Sequence, residues 1–141
     1  MAIRLDTPQN GFAIDWLGQR IRLPIRTSDT GGLVSAQLGD APPGFTNPPH
    51  VHTREDEIFY VISGEIQIRV ADKLLHLSAG DVALAPAGLP HQVSVVGNNA
   101  AKLLVLLTGV QFFLRRIALW LLSQCPCQRR RPQDRQDQQR A

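Results

Sequence analysis

Gly44-Phe45-Thr46-Asn47-Pro48-Pro49-His50-Val51-His52-Thr53-Arg54-Glu55-Asp56-Glu57-Ile58-Phe59-Tyr60-Val61-Ile62-Ser63-Gly64 is the stretch whose reading decides the fold. It holds two imidazoles one residue apart, a carboxylate a few residues on, and then a run of β-branched and aromatic side chains. Successive residues of an extended chain point to opposite faces, so His50 and His52 share one face. Residues 57–62 carry a strand signal. Ser63-Gly64-Glu65 reads as a tight turn, with residues 66–70 as the returning strand of a hairpin. Gly64 supplies the positive φ such a turn needs. Pro48 and Pro49 each fix φ and stiffen the approach to His50.

A second segment, Gly80-Asp81-Val82-Ala83-Leu84-Ala85-Pro86-Ala87-Gly88-Leu89-Pro90-His91, ends on a third histidine that opens a strand over residues 91–95. A closed or nearly closed barrel brings that strand start beside the first segment. Imidazole and carboxylate are the commonest protein ligands for borderline divalent metals. His50, His52, Glu57 and His91 together can therefore wrap one ion. The alternative is a metal-free site that keeps the same side chains.

Both segments match the two motifs of the cupin family in order and spacing, and the resemblance covers roughly residues 30–110. Every glycine, histidine, glutamate and proline of the two patterns is present. The family's usual Asn, four residues after the second-motif histidine, is Val95 here. Fifteen residues separate Gly64 from Gly80, as in compact microbial members. The resemblance implies an all-β chain folded as a cupin barrel (a double-stranded β-helix, or jelly roll). It also implies one divalent metal on His50, His52, Glu57 and His91. Val95 puts no ligand in doubt, since that Asn is not usually one.

The bulk numbers bound the rest. At 141 residues the chain has room for one core. Residues 1–110 carry eight Lys or Arg and ten Asp or Glu, net −2; residues 111–141 carry seven Arg and two Asp, net +5. The basic character belongs to the tail, and a domain-wide basic face for nucleic acid is not expected. Cys125 and Cys127 are too close to staple a barrel, and free thiols are expected. The N-terminus has no signal-like apolar run. A cytoplasmic location follows as the default.

Along the chain, residues 12–17 and 20–25 are each expected as an edge strand, and residues 33–38 as a clear strand. Residues 73–77 form another, 82–84 a buried one, and 102–108 a strand covered on both sides. The expected organisation is a barrel domain over 1–110 and a basic tail over 111–141. In the tail, Phe113, Leu114, Ile117, Trp120 and Leu121 gather on one side at helical spacing. From Gln124 onward little can be buried, and disorder is expected. The family resemblance implies a helix beginning near Phe112-Phe113. The remainder resembles no family ending, as a shifted reading frame or a lineage-specific extension would produce. A membrane span over residues 103–122 is disfavoured, because each of Arg115 and Arg116 at a helix centre costs about 2.5–3.5 kcal/mol.

Alternation places Phe59 and Val61 with Glu57, and Val93 and Val95 with His91. The space beside the ligands is therefore apolar, either filled as core or open to a small hydrophobic molecule. His76 is expected as an exposed strand residue, and Glu55 as a solvated charge. Glu57 has two readings: a fixed ligand, or a ligand that also accepts a proton from substrate.

Three neutral imidazoles, one carboxylate and a divalent cation (Fe, Mn, Ni, Co, Cu or Zn) leave a formal charge of +1 and open coordination positions. The residues 50–65 resemble those of small bacterial cupins related to quercetin 2,3-dioxygenase. That resemblance implies a mononuclear dioxygenase acting on a small aromatic or enolisable substrate, with Glu57 as the catalytic proton acceptor. A non-catalytic metal-dependent binding or sensing domain is the alternative, and isomerase or lyase chemistry a third. Pairing into a homodimer through the sheets is allowed by the apolar edge strands.

Overall fold

The computed structural model describes residues 11–109, all within the first of the chain's two units, Met1–Gln111. The expected helix over 111–122, the disordered stretch beyond it and both cysteines lie outside the described residues. In chain order the described strands are β1 (Ala13–Trp16), β2 (Gln19–Ile25), β3 (Val34–Ala41), β4 (Asp56–Ser63), β5 (Glu65–Val70), β6 (Lys73–Ser78), β7 (Val82–Ala85), β8 (His91–Val95) and β9 (Ala101–Thr108). A 3-10 turn, Thr27–Thr30, separates β2 from β3.

The strands form two antiparallel sheets. One runs β1-β2-β3-β9-β4-β7, the other β6-β5-β8. This is the all-β architecture the motifs imply. Phe59, Val61, Leu103 and Val105 from the large sheet meet Ile66, Ile68, Val93 and Val95 from the small one to form the core. Alternation sets who enters it: Glu57, Phe59 and Val61 of β4 are buried, while Tyr60 and Ile62 are exposed. His91, Val93 and Val95 of β8 point inward in the same way.

Four local expectations are corrected. First, β4 and β5 are not a hairpin: β4 pairs with β7 and β9, and β5 with β6 and β8. Ser63-Gly64-Glu65 is the corner where the chain leaves one sheet for the other. Gly64 has φ +79°, and a Cβ there would lie 2.5 Å from the Ala100 carbonyl oxygen and 2.7 Å from the Ala101 Cα. Close approach of the β9 entry, as well as the positive φ, requires glycine. Second, β7 is not buried. It is an edge strand whose Val82 is 64% exposed while Ala83 and Ala85 enter the core. Third, β2 is no edge strand; it lies between β1, which is an edge, and β3. Fourth, β9 is central but covered on one face. Ala101, Leu103 and Val105 are in the core, and Lys102, Leu104 and Leu106 are half-buried on the other side. Among the described residues no helix is long and apolar enough to cross a membrane.

Candidate metal centre

The first and second motifs are stitched together by backbone. His50 N–H donates to the His91 carbonyl (3.0 Å) and His91 N–H to the His50 carbonyl (2.9 Å). This single antiparallel bridge brings two imidazoles 41 positions apart onto one point. Gly88 N–H donates to the His52 carbonyl (2.8 Å). Ala87 N–H donates to Asp56 Oδ1 (2.8 Å), which anchors the second-motif loop to the start of β4. The loop itself closes by Leu89 N–H to the Pro86 carbonyl (3.2 Å), with Gly88 at φ +82° in the position where such a turn wants glycine. Deeper in, Asn47 exchanges bonds with Val93: its Oδ1 accepts from Val93 N–H (2.7 Å) and its own N–H donates to the Val93 carbonyl (3.1 Å).

The four expected side chains converge. One ligand atom from each of His50, His52, Glu57 and His91 lies within 4.8 Å of all the others. Glu57 Oε2 is 2.7 Å from His91 Nε2, 3.3 Å from His52 Nε2 and 3.9 Å from His50 Nε2. Two ligand atoms adjacent on a metal with bonds near 2.0–2.2 Å stand about 3–3.5 Å apart. The donor set therefore fits one divalent ion with small adjustment.

Two carbonyls fix the rings. His50 Nδ1 lies 3.1 Å from the Pro48 carbonyl and His91 Nδ1 lies 3.2 Å from the Leu89 carbonyl. A carbonyl only accepts, so each Nδ1 carries the proton. In a neutral ring Nε2 then presents its lone pair to the centre, the outer support expected of a metal-binding histidine. Without a metal, His91 Nε2 donates to Glu57 instead. That hydrogen bond raises the His91 pKa above its ordinary value of 6.5, burial opposes, and the Leu89 carbonyl adds to the rise.

Burial is uneven. The side chains of His91 and Glu57 are 1% and 10% exposed, those of His50 and His52 33% and 28%. The half-buried pair, with Glu57, borders a cavity of about 370 Å³. Its walls include Phe45, Phe59, Val93, Leu103, Val105 and Leu107, and Glu57 is its sole carboxylate among the described residues. Of the two expectations for this space, the open apolar pocket holds for its rim and core packing for Val61 and Val95, which do not line it. His76 is exposed as expected, beside Gln67 (3.2 Å).

Sequence reading did not single out Asp56, Asn47, Trp16 or Gln19 as parts of the site. Asp56 was visible only as a flanking charge. The other three carry no motif signal, since their positions depend on strand pairing across the barrel.

Residues 38–107 match the Cupin_2 family, described as a cupin domain. Fold, site and match together define this region as a cupin domain. The Arabidopsis thaliana protein named probable germin-like protein subfamily 2 member 5 is 38% identical over 81 residues, covering 54% of this chain and 38% of the relative. Oxalate oxidase 2 of Hordeum vulgare is 39% identical over 80 residues, covering 51% and 36%. The chain thus spans well under half the length of these curated relatives. The solved structure of KdgF from Halomonas sp. shares the fold, with a TM-score of 0.65 at 19% identity, over 81% of this chain and 98% of that one. Neither curated relative is named as a quercetin dioxygenase, so that narrower likeness rests on the motif residues alone.

Proposed function

We propose that this cupin domain holds one divalent transition-metal ion on His50, His52, Glu57 and His91. We further propose that it acts as a dioxygenase on a small, largely apolar molecule bearing an enolisable or phenolic oxygen. The observation that carries the reading is the convergence of four ligand atoms at the rim of an apolar cavity. A metal bound there supplies Lewis acidity toward the substrate oxygen and, if redox-active, electrons toward dioxygen. The protein's own contributions are separate. The Pro48 and Leu89 carbonyls hold the rings in one tautomer. Phe45, Phe59 and Val93 exclude water from the bound molecule and orient it. Glu57, the lone carboxylate of the cavity lining, accepts the substrate hydroxyl proton.

A second reading takes its support from the oxalate oxidase relative: oxidation of a small dicarboxylate. Against it stands the cavity lining, which has no Lys or Arg among the described residues to meet a second negative charge. The test is dioxygen uptake by protein loaded in turn with Fe(II), Mn(II), Ni(II) and Cu(II), offered a flavonol, an enolisable diketone and oxalate. Uptake with the flavonol or diketone is the expected result. Uptake with oxalate alone selects the second reading. Metal and ligand binding without uptake leaves a binding or sensing module.

A further inference from the structure

The wall of the cavity farthest from the histidines is built by residues outside the matched cupin region. In the β1–β2 hairpin, Trp16 pairs with Gln19 and Ile14 with Ile21, so these four share a face, and all four line the cavity. Gln19 is the unusual member. It is only 8% exposed, and it is a polar side chain on the lining of the cavity. An amide on the wall of an otherwise apolar cavity can both donate to and accept from a bound molecule. Its seat is also specific. The amide lies over Gly39 of β3, where any Cβ would run into it. Trp16 beside it is 40% exposed on the edge strand and offers a flat apolar surface.

The register gives the span. Glu57 pairs with Leu107 and Gly39 with Leu103, so the amide's seat is four β9 residues from the ligand row. At the rise of a strand this is about 13 Å. Oxalate is far too short to reach both ends.

Resting on the proposed dioxygenase reading, we infer that the β1–β2 hairpin is the substrate-selecting wall of this site: Trp16 stacks on the body of a flat, multi-ring phenolic molecule, and the Gln19 amide hydrogen-bonds a hydroxyl on a ring away from its metal-chelating oxygens. Gln19 and Trp16 are recognition residues and take no part in the bond-making steps.

The test is calorimetric binding to the full chain, metal-free and loaded with redox-inert Zn(II), so that no turnover intrudes. The probes are quercetin, with hydroxyls on its outer rings, and 3-hydroxyflavone, with the chelating oxygens alone. Wild type should bind quercetin the more tightly. Gln19→Leu should weaken quercetin about tenfold and leave 3-hydroxyflavone within about twofold. Gly39→Ala, which displaces the amide without removing it, should reproduce that loss. Trp16→Ala should weaken both ligands. The melting temperature of each variant, measured beside the binding, separates a lost contact from a lost fold.

An unchanged quercetin to 3-hydroxyflavone ratio in both Gln19→Leu and Gly39→Ala overturns the inference, as does a wild type that binds neither ligand. Failure of the dioxygenase reading is distinguishable. Absent dioxygen uptake with Gln19-dependent binding intact removes that reading and leaves the selecting wall. Uptake intact with an unchanged ratio removes the wall alone.

Discussion

The two halves of the candidate metal centre are built differently. Glu57 and His91 sit on β4 and β8, buried, with a 2.7 Å hydrogen bond between them. His50 and His52 sit on the loop before β4, about one-third exposed at the cavity rim. The strand-borne half is part of the core, so its side chains are fixed with the fold. The loop-borne half is held by two backbone contacts to the second motif, His50 with His91 and Gly88 with His52. The difference teaches that binding and folding draw on the same four residues unequally. The buried pair should matter to stability with or without metal, the rim pair only with it.

The sharpest way to break this comparison is to remove one member of each half. His91→Ala leaves the Glu57 carboxylate buried without its partner, and should cost about 3–5 kcal/mol in metal-free protein. Urea unfolding in the presence of a chelator measures this; a cost below about 1 kcal/mol would deny the buried half its structural role. His52→Ala should lower metal content and the melting temperature of loaded protein together, because binding free energy adds to folding free energy. The same substitution should move the metal-free protein by no more than about 1 kcal/mol, since His52 is half-buried and its 3.3 Å approach to Glu57 is longer than the His91 bond. Unchanged metal stoichiometry would remove His52 from the ligand set.

Asp56→Ala sharpens the picture of how the halves are joined. It deletes the acceptor for Ala87 N–H and should cost about 1 kcal/mol. It should also weaken metal binding, although Asp56 is no ligand, because Gly88 and His91 follow from the same loop. Metal affinity unaltered in a destabilised variant would separate that loop from the site.

The smallest effect is in pH. The His91 pKa is raised in the folded, metal-free protein, chiefly by Glu57. The pairing therefore contributes stability below the unfolded value of about 6.5, and the contribution is lost as pH rises through the raised folded value. Metal binding takes the opposite sense. Loading must displace the Nε2 proton, so affinity should climb with pH across that window with proton release. Chelator-treated protein followed by thermal melting from pH 5 to 8, beside metal titrations over the same range, should show the two trends running in opposite directions.

The site was more legible in the sequence than the sheets were. His50, His52, Glu57 and His91 could be named because ligand chemistry restricts residue type and the alternation of strands restricts spacing. β8 was legible to the residue, as His91–Val95. Strand pairing was not. A glycine with positive φ serves a hairpin turn and a sheet-to-sheet corner equally well. What makes Gly64 a corner is the backbone of Ala100 and Ala101 pressed against it, a contact more than 30 positions away in the chain. Val82 and Leu84 misled in the same manner: apolar identity suggested burial, but both fall on the outward face of β7 while Ala83 and Ala85 enter the core, and which face turns outward depends on how the strands pair. Gln19 was silent altogether, since nothing local tells a surface amide from one buried over Gly39.

X-ray absorption on the full chain loaded with one equivalent of Zn(II), with elemental analysis of the same sample, tests the centre most directly. Close to one ion per chain, three imidazole nitrogens and at least one oxygen at 2.0–2.2 Å is the predicted result, with one imidazole lost in each of His50→Ala, His52→Ala and His91→Ala. Retention of an ion with no imidazole scattering, or a stoichiometry unmoved by all three substitutions, would contradict the account.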